Sequence, residues 1–186
     1  MDTFLFYLKV GVNHILDINA YDHLLFLSSI SLPYTFKRYH SLFWIVTFFT
    51  IGHTFSLFIS TYGIYNPDLN IIEFLIPITI LFSAVSNLFL KVQVKKSSLS
   101  YLVSLLFGLI HGFGFAGFYD QITFSDNIEF TPLIGFTIGV EIAQIIIVFF
   151  VLLLSTILNS RRNFLSKNFI KIMSILICLL TILIFF

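Results

Sequence analysis

The chain has 186 residues, 58% hydrophobic and 10% charged, with a net charge of +1 and a mean hydropathy of +1.01. Soluble domains carry roughly 25% charged residues, so the composition excludes an ordinary soluble domain, and with the near-zero charge nothing suggests a nucleic-acid partner. Its 25 phenylalanines lie in long apolar runs, which indicates an integral membrane protein whose first partner is the lipid bilayer. The length suits one compact bundle with no separate soluble domain. The lone Cys178 excludes an intrachain disulfide and reads as a buried, inert thiol. The N-terminus lacks a basic segment and a small-residue cleavage site, so no cleaved signal peptide is expected.

Taken in order, the first apolar stretch, 4–18, contains Lys9 and closes on Asn13, His14 and Asp17. A full crossing needs about 20 residues, so this stretch predicts a short interfacial or re-entrant helix. Six spans follow, at about 20–36, 42–62, 69–90, 98–118, 131–158 and 168–186. The fold class is therefore an all-α membrane protein: a six-span transmembrane helix bundle behind a short N-terminal helix, with both termini outside. Pro77 falls inside the third span and is expected to kink it and free a backbone carbonyl. The longest connection, 119–130, is acidic and reads as a lid or as a solvated turn.

The charges sort by side. Lys37 and Arg38, then Lys91, Lys95 and Lys96, then Arg161, Arg162, Lys167 and Lys171 occupy alternate connections. The positive-inside rule makes these cytoplasmic. Asp17, Asp22, Asp68, Glu73, Asp120, Asp126 and Glu129 fall on the other side, and Lys9 is the exception to the basic pattern. The arrangement fits a bacterial cytoplasmic (inner) membrane.

Ionisable groups inside a membrane are costly and mark function by default. Here they are His53 in the second span, His111 in the fourth and Glu141 in the fifth, with His14, Asp22, His23 and Glu73 near the outer ends. At 1.5 Å per residue they form a rough ladder from the outer face to mid-depth. The inner half offers only Thr47, Ser83, Ser86 and Asn87. Histidines with carboxylates are a ligand set for a borderline divalent metal such as Ni²⁺, Co²⁺ or Zn²⁺. Asp22 and His23 are adjacent and point about 100° apart on a helix, which suggests that one is a ligand and the other orients a neighbour such as His14. Gln144 shares a helix face with Glu141 and suits a hydrogen-bonding or weak-ligand role.

Plainer readings stand beside these. A single membrane histidine is often an interhelical hydrogen-bond partner, Glu141 could pair with a histidine as structural glue, and Glu73 could be an interfacial charge. Gly52, Gly108, Gly112, Gly135 and Gly139 read as close-packing positions. His40, beside Lys37 and Arg38, reads as a solvated headgroup contact. Polar groups on different segments coincide at compatible depths, which points to a shared site.

Several stretches carry a family resemblance: His14-Ile15-Leu16-Asp17 with Asp22-His23-Leu24-Leu25-Phe26, then Ile51-Gly52-His53-Thr54-Phe55, then Phe107-Gly108-Leu109-Ile110-His111-Gly112-Phe113-Gly114, then Gly139-Val140-Glu141-Ile142-Ala143-Gln144. Glu73 opens, and Asn87 ends, the span between. Together they resemble the HupE/UreJ family over about residues 11–158, so the whole of 1–186 reads as a single HupE/UreJ-like transmembrane domain. The resemblance implies a hydrogenase or urease accessory role and a nickel or cobalt permease activity. It implies a pathway through His14, Asp22, His23, His53, His111 and Glu141, with Glu73, Asn87 and Gln144 supporting it. Members linked to hydrogenase carry a second histidine and a glutamate after the first His-Gly, whereas Phe113 and Gly114 follow Gly112 here; the ligand set is leaner.

Two functions compete. One is a divalent-metal permease that holds the ion near mid-depth and releases it inward past small polar groups and carbonyls freed at Pro77. The other is a Zn²⁺-dependent intramembrane hydrolase or acyl-transfer enzyme that activates a water against a lipid-like substrate. A membrane scaffold with an inherited polar core is the plain third reading.

Overall fold

The structure is a computed structural model that describes residues 2–17, 21–89, 98–123, 130–159 and 164–185. The described residues contain no strand. They form α1 (Thr3–Leu16), α2 (Tyr21–Ser31), a single 3-10 turn (Phe36–Arg38), α3 (Tyr39–Thr61), α4 (Leu69–Phe89), α5 (Ser98–Ile122), α6 (Phe130–Asn159) and α7 (Phe164–Phe185). Lys91, Lys95, Lys96, Asp126, Glu129, Arg161 and Arg162, and with them much of the charge sorting and the centre of the 119–130 connection, lie outside the described residues.

Local chemistry sets the ends. Asp2 caps α1 by accepting from the Phe4 N–H at 3.2 Å, and Asp68 caps α4 by accepting from the Asn70 N–H at 2.9 Å. Gly63 ends α3 in the left-handed region, at φ 65°, where its N–H reaches the Ser60 carbonyl. Pro33 stops α2 early, because the residue before a proline is pushed out of the helical region.

Among the described residues, five helical segments are long and apolar enough to cross a membrane: Phe36–Thr61, Leu69–Phe89, Ser98–Ile122, Phe130–Leu158 and Asn168–Phe185. Their outward faces carry large apolar side chains, such as Phe55, Phe74 and Phe150, as a lipid-embedded bundle requires. The stretch expected as a first full span, 20–36, contains only the 11 residues of α2. At 1.5 Å per residue that is about 16 Å, roughly half of a bilayer core.

Glycines decide which helices meet. Gly52 faces Leu105 and Leu109, while Gly108 faces Phe49 and His53, and Gly112 faces His53 and Ser56. An added Cβ at any of the three would overlap backbone, so α3 and α5 are parallel helices in main-chain contact. Gly135 faces Phe4 and Leu8, Gly139 faces Leu8 and Val12, and Gly11 faces Phe136 and Val140. This makes α1 parallel to α6 and packs it into the bundle along its length.

Cross-helix bonds orient α2. Its Ser29 hydroxyl donates to Ser83 at 2.8 Å, and the Asn87 amide donates to the Ser29 carbonyl at 2.8 Å. His23, six residues earlier, lies beside His111, which is bonded to Thr79. Thus α2 runs in the direction of α4. Contacts of Thr54 with Thr137 and of Thr50 with Gln144 set α3 antiparallel to α6, and the Thr79–His111 and Gly114–Ile76 contacts set α4 antiparallel to α5. Helices α1, α2, α4 and α6 therefore share one direction, and α1 and α2 follow each other along it with 17–20 between them. α4 continues through Pro77. Pro77 leaves the Glu73 carbonyl, four residues back, without its helical donor.

Two apolar clusters build the core. One gathers Ile15, Leu27, Phe136 and Val140 with parts of α3. The other gathers Phe26, Phe49, Ile76 and Ile80 with parts of α7.

Candidate metal centre

The histidines meet at the seam of these clusters. The His14 and His53 rings lie 5.8 and 6.0 Å from Phe136 in the first. The His23 and His111 rings lie 6.2 and 5.2 Å from Phe49 in the second. Within the group, His14 is 4.6 Å from His23 and 5.5 Å from His53, and His23 is 5.8 Å from His53 and 5.3 Å from His111, between ring centroids. His23, His53 and His111 are buried. The ladder expected from the outer face to mid-depth is instead one cluster. The reason is α1: packed along α6 by its glycine contacts, it carries His14 to the level of His53.

Hydrogen bonds assign the lone pairs. Thr79 donates its hydroxyl hydrogen to the Ile76 carbonyl at 2.7 Å, so its oxygen accepts from His111 Nε2–H at 3.0 Å. That leaves His111 Nδ1 bare, buried and unpartnered. The Asp22 carboxylate accepts from His23 Nδ1–H at 3.1 Å, which leaves His23 Nε2 bare, buried and unpartnered. His14 Nε2 and both ring nitrogens of His53 are also buried without a partner. Orphaned buried nitrogens of this kind are costly, and a carboxylate or hydroxyl behind an imidazole is the arrangement that fixes a metal-binding tautomer.

The potential ligand atoms fall into two groups, each within 4.8 Å: His14, His23 and His53, and Asp22, His23 and His111. His23 belongs to both. A cavity of about 490 Å³ reaches His14, Asp22, His23 and His111, and is walled by Phe115, Gly114, Ile76 and the end of α7 at Ile184 and Phe185. His53, wholly buried, is not among the residues lining it. The donor set, imidazole nitrogens with one carboxylate, suits Ni²⁺, Co²⁺ or Zn²⁺.

Asp22 belongs to this site, and Glu141, Gln144, Glu73 and Asn87 lie elsewhere. Asp22 binds its own neighbour His23, which corrects the reading that the adjacent pair would serve different partners. Nδ1 of an imidazole sits near its own main chain, where a carboxylate from the preceding residue can reach it. Glu141 is not in either ligand group; it accepts from the Thr47 hydroxyl at 2.6 Å and contacts Thr50. Gln144 Oε1 lies 3.0 Å from the Thr50 hydroxyl. Glu73 is exposed, and Asn87 is bonded to Ser29, away from the histidines. His40 is exposed beside Tyr39 and Trp44.

Sequence reading missed Thr79, which sets the His111 tautomer, and Phe115, whose ring lies 3.7 Å from that of His14. The spacing Thr79-x3-Ser83-x3-Asn87, one polar face along α4, is a signal that could have found Thr79.

No curated protein and no solved structure matches the chain. The family model described as HupE / UreJ protein matches residues 1–186. With a helical membrane bundle and the histidine motifs of that resemblance on one site, the chain belongs to the HupE/UreJ family.

Proposed function

We propose that the protein is a divalent-metal permease or metal-handling accessory protein whose cargo is Ni²⁺ or Co²⁺. The observation that carries this reading is the pair of three-ligand groups sharing His23. The group with Asp22 lines the cavity and brings the negative charge that attracts a cation. The group of His14, His23 and His53 carries no carboxylate, and its His53 lies behind the cavity lining. An ion held first by Asp22, His23 and His111 would pass to the inner group by exchanging ligands around His23, shedding water as it goes.

The same reading orders the membrane. α1 and α2, one after the other in one direction, together make a single crossing. With α3 to α7 this gives six crossings, with both termini outside and the Lys37–Arg38 turn in the cytoplasm, as in a bacterial inner-membrane protein. Crossings built from half-helices are where transporters place their ion sites, and here His14 lies near the end of α1 and His23 near the start of α2.

The test is metal stoichiometry of the purified protein, followed by uptake into proteoliposomes. Near one ion bound per chain, lost in His23→Ala, is expected, with Ni²⁺ accumulating inside loaded vesicles. Absence of stoichiometric metal in the unaltered protein would sink the reading. Tight binding without uptake would move it from permease to accessory protein or to the hydrolase alternative.

A further inference from the structure

An apolar groove runs between α3 and α6 at the Lys37–Arg38 end of the bundle. The sequence gives its cause. Gly52 and Gly139 are the last glycines of α3 and α6 toward that end, and beyond them large side chains keep the two backbones from close contact. Thr47 bonds Glu141 at 2.6 Å. From that level the groove passes between Phe43 and Val46 on one wall and Ile145, Phe149 and Leu152 on the other, and it ends at Phe36 and Tyr39. The Phe36 and Phe149 rings meet across it, with centroids 6.0 Å apart.

Its size fits one extended chain. Val46 and Phe36 are ten residues apart, which is about 15 Å at the helical rise. That is half of the roughly 30 Å hydrocarbon core, the depth of one leaflet. The volume is about 200 Å³, and a helix about 10–12 Å across is too wide for it.

Its mouth is basic. Lys37 and Arg38 lie between the lining residues Phe36 and Tyr39, and both are exposed. Neither wall offers them a carboxylate nearby: 23–67 and 142–186 contain no Asp or Glu. Glu141, at the far end of the groove, is held by Thr47. The first turn of α3 has no side-chain cap, so its amides add to the pull on an anion. Tyr39, His40 and Trp44 stand beside this turn, with neighbouring ring centroids 6.5 and 6.3 Å apart. Such aromatics mark the headgroup level of a bilayer.

We propose that this groove is a binding site for one anionic phospholipid. An acyl chain lies between α3 and α6, and the phosphodiester lies at the mouth. Lys37 and Arg38 donate to its oxygens, and the Tyr39 hydroxyl is placed to do the same. The chain fills the space that the two helices leave below the Thr47–Glu141 contact. The site is separate from the imidazole cluster and does not rest on the permease reading.

The experiment is native mass spectrometry of the purified protein with dioleoyl phosphatidylglycerol or dioleoyl phosphatidylcholine, which share their chains and differ in net charge. The unaltered protein should retain one phosphatidylglycerol, about tenfold or more in preference to phosphatidylcholine, as two basic residues near a headgroup supply. Lys37→Gln with Arg38→Gln should abolish the preference. Lys171→Gln, which removes an exposed charge on α7 away from the groove, should keep it. Ile145→Trp, which fills the groove from a partly exposed position, should weaken retention of phosphatidylglycerol. The glutamine pair and the tryptophan perturb opposite ends of the site, so either one tests it if the other fails to fold. Equal retention of the two lipids, no change in the glutamine pair, or an equal loss in Lys171→Gln would overturn the proposal. So would quantitative cross-linking between copies through Ile145→Cys in vesicles, which would give the groove to a second copy of the chain.

Discussion

Alanine at Gly112 tests the site through the helix contact that builds it. The added Cβ would overlap the His53 carbonyl oxygen and the Ser56 hydroxyl, and would sit 2.9 Å from His53 Cα. Ordinary contact begins at 3.4 Å, so α5 must withdraw from α3 by at least about 0.5 Å, more to clear the carbonyl. Backbone on the α3 side cannot turn aside. Metal–ligand distances hold to about 0.2 Å, and His111 and His53, one from each group that shares His23, ride on the two helices being parted. Overpacking of this kind costs about 1–3 kcal/mol, and tenfold in affinity corresponds to about 1.4 kcal/mol. Gly112→Ala should therefore lower thermal stability and weaken Ni²⁺ binding by about tenfold or more. Two neighbours calibrate it. At Gly114 the nearest atom is the flexible end of Ile76, at 2.8 Å, and at Gly117 there is nothing within 4 Å. Gly114→Ala should have a small effect. Gly117→Ala should be neutral or stabilising by up to about 1 kcal/mol, because glycine is the weaker helix former. The assay is titration calorimetry on the purified variants, with thermal unfolding in the same detergent. Equal Ni²⁺ affinity in Gly112→Ala and Gly117→Ala would refute the placement of the metal at this seam.

Three further outcomes follow from the same geometry. His53→Leu removes two buried, unpartnered nitrogens, so the metal-free protein should unfold at the same temperature or higher, while the stabilisation gained on adding Ni²⁺ shrinks; a large fall in metal-free stability would show that His53 has a structural partner. Asp22→Asn keeps the shape and an amide oxygen that can still accept from His23, but removes the negative charge and the carboxylate ligand, and should weaken Ni²⁺ by about 10–100-fold in equilibrium binding; unchanged affinity would remove Asp22 from the site. Tyr7→Phe deletes the bond from Tyr7 to the Ile122 carbonyl, 2.7 Å long, that ties α1 to the end of α5. It should lower stability by about 1 kcal/mol in chemical unfolding with little change in metal affinity.

Much was legible in the sequence because the relevant physics is local. Hydropathy runs identify a helical membrane protein, since only a helix satisfies its own backbone within one segment. Isolated ionisable residues in such runs single out His53, His111 and Glu141, because each is expensive there. The glycine motifs foretell close packing, though not which helix each glycine meets. Tertiary structure alone decided the rest. The first stretch read as interfacial or re-entrant because it contains Lys9, closes on Asn13, His14 and Asp17, and is too short to cross; only its contact with α6, made through Gly11, Gly135 and Gly139, shows it packed in the bundle with His14 beside Phe136. Glu141 looked like a ligand because depth is all that a sequence gives. Direction around a helix axis decides contacts, and α6 turns Glu141 toward Thr47 and Thr50, not toward the imidazoles. Which nitrogen of His111 is bare depended on a hydroxyl 32 residues away in sequence, and no pattern along the chain carries that information.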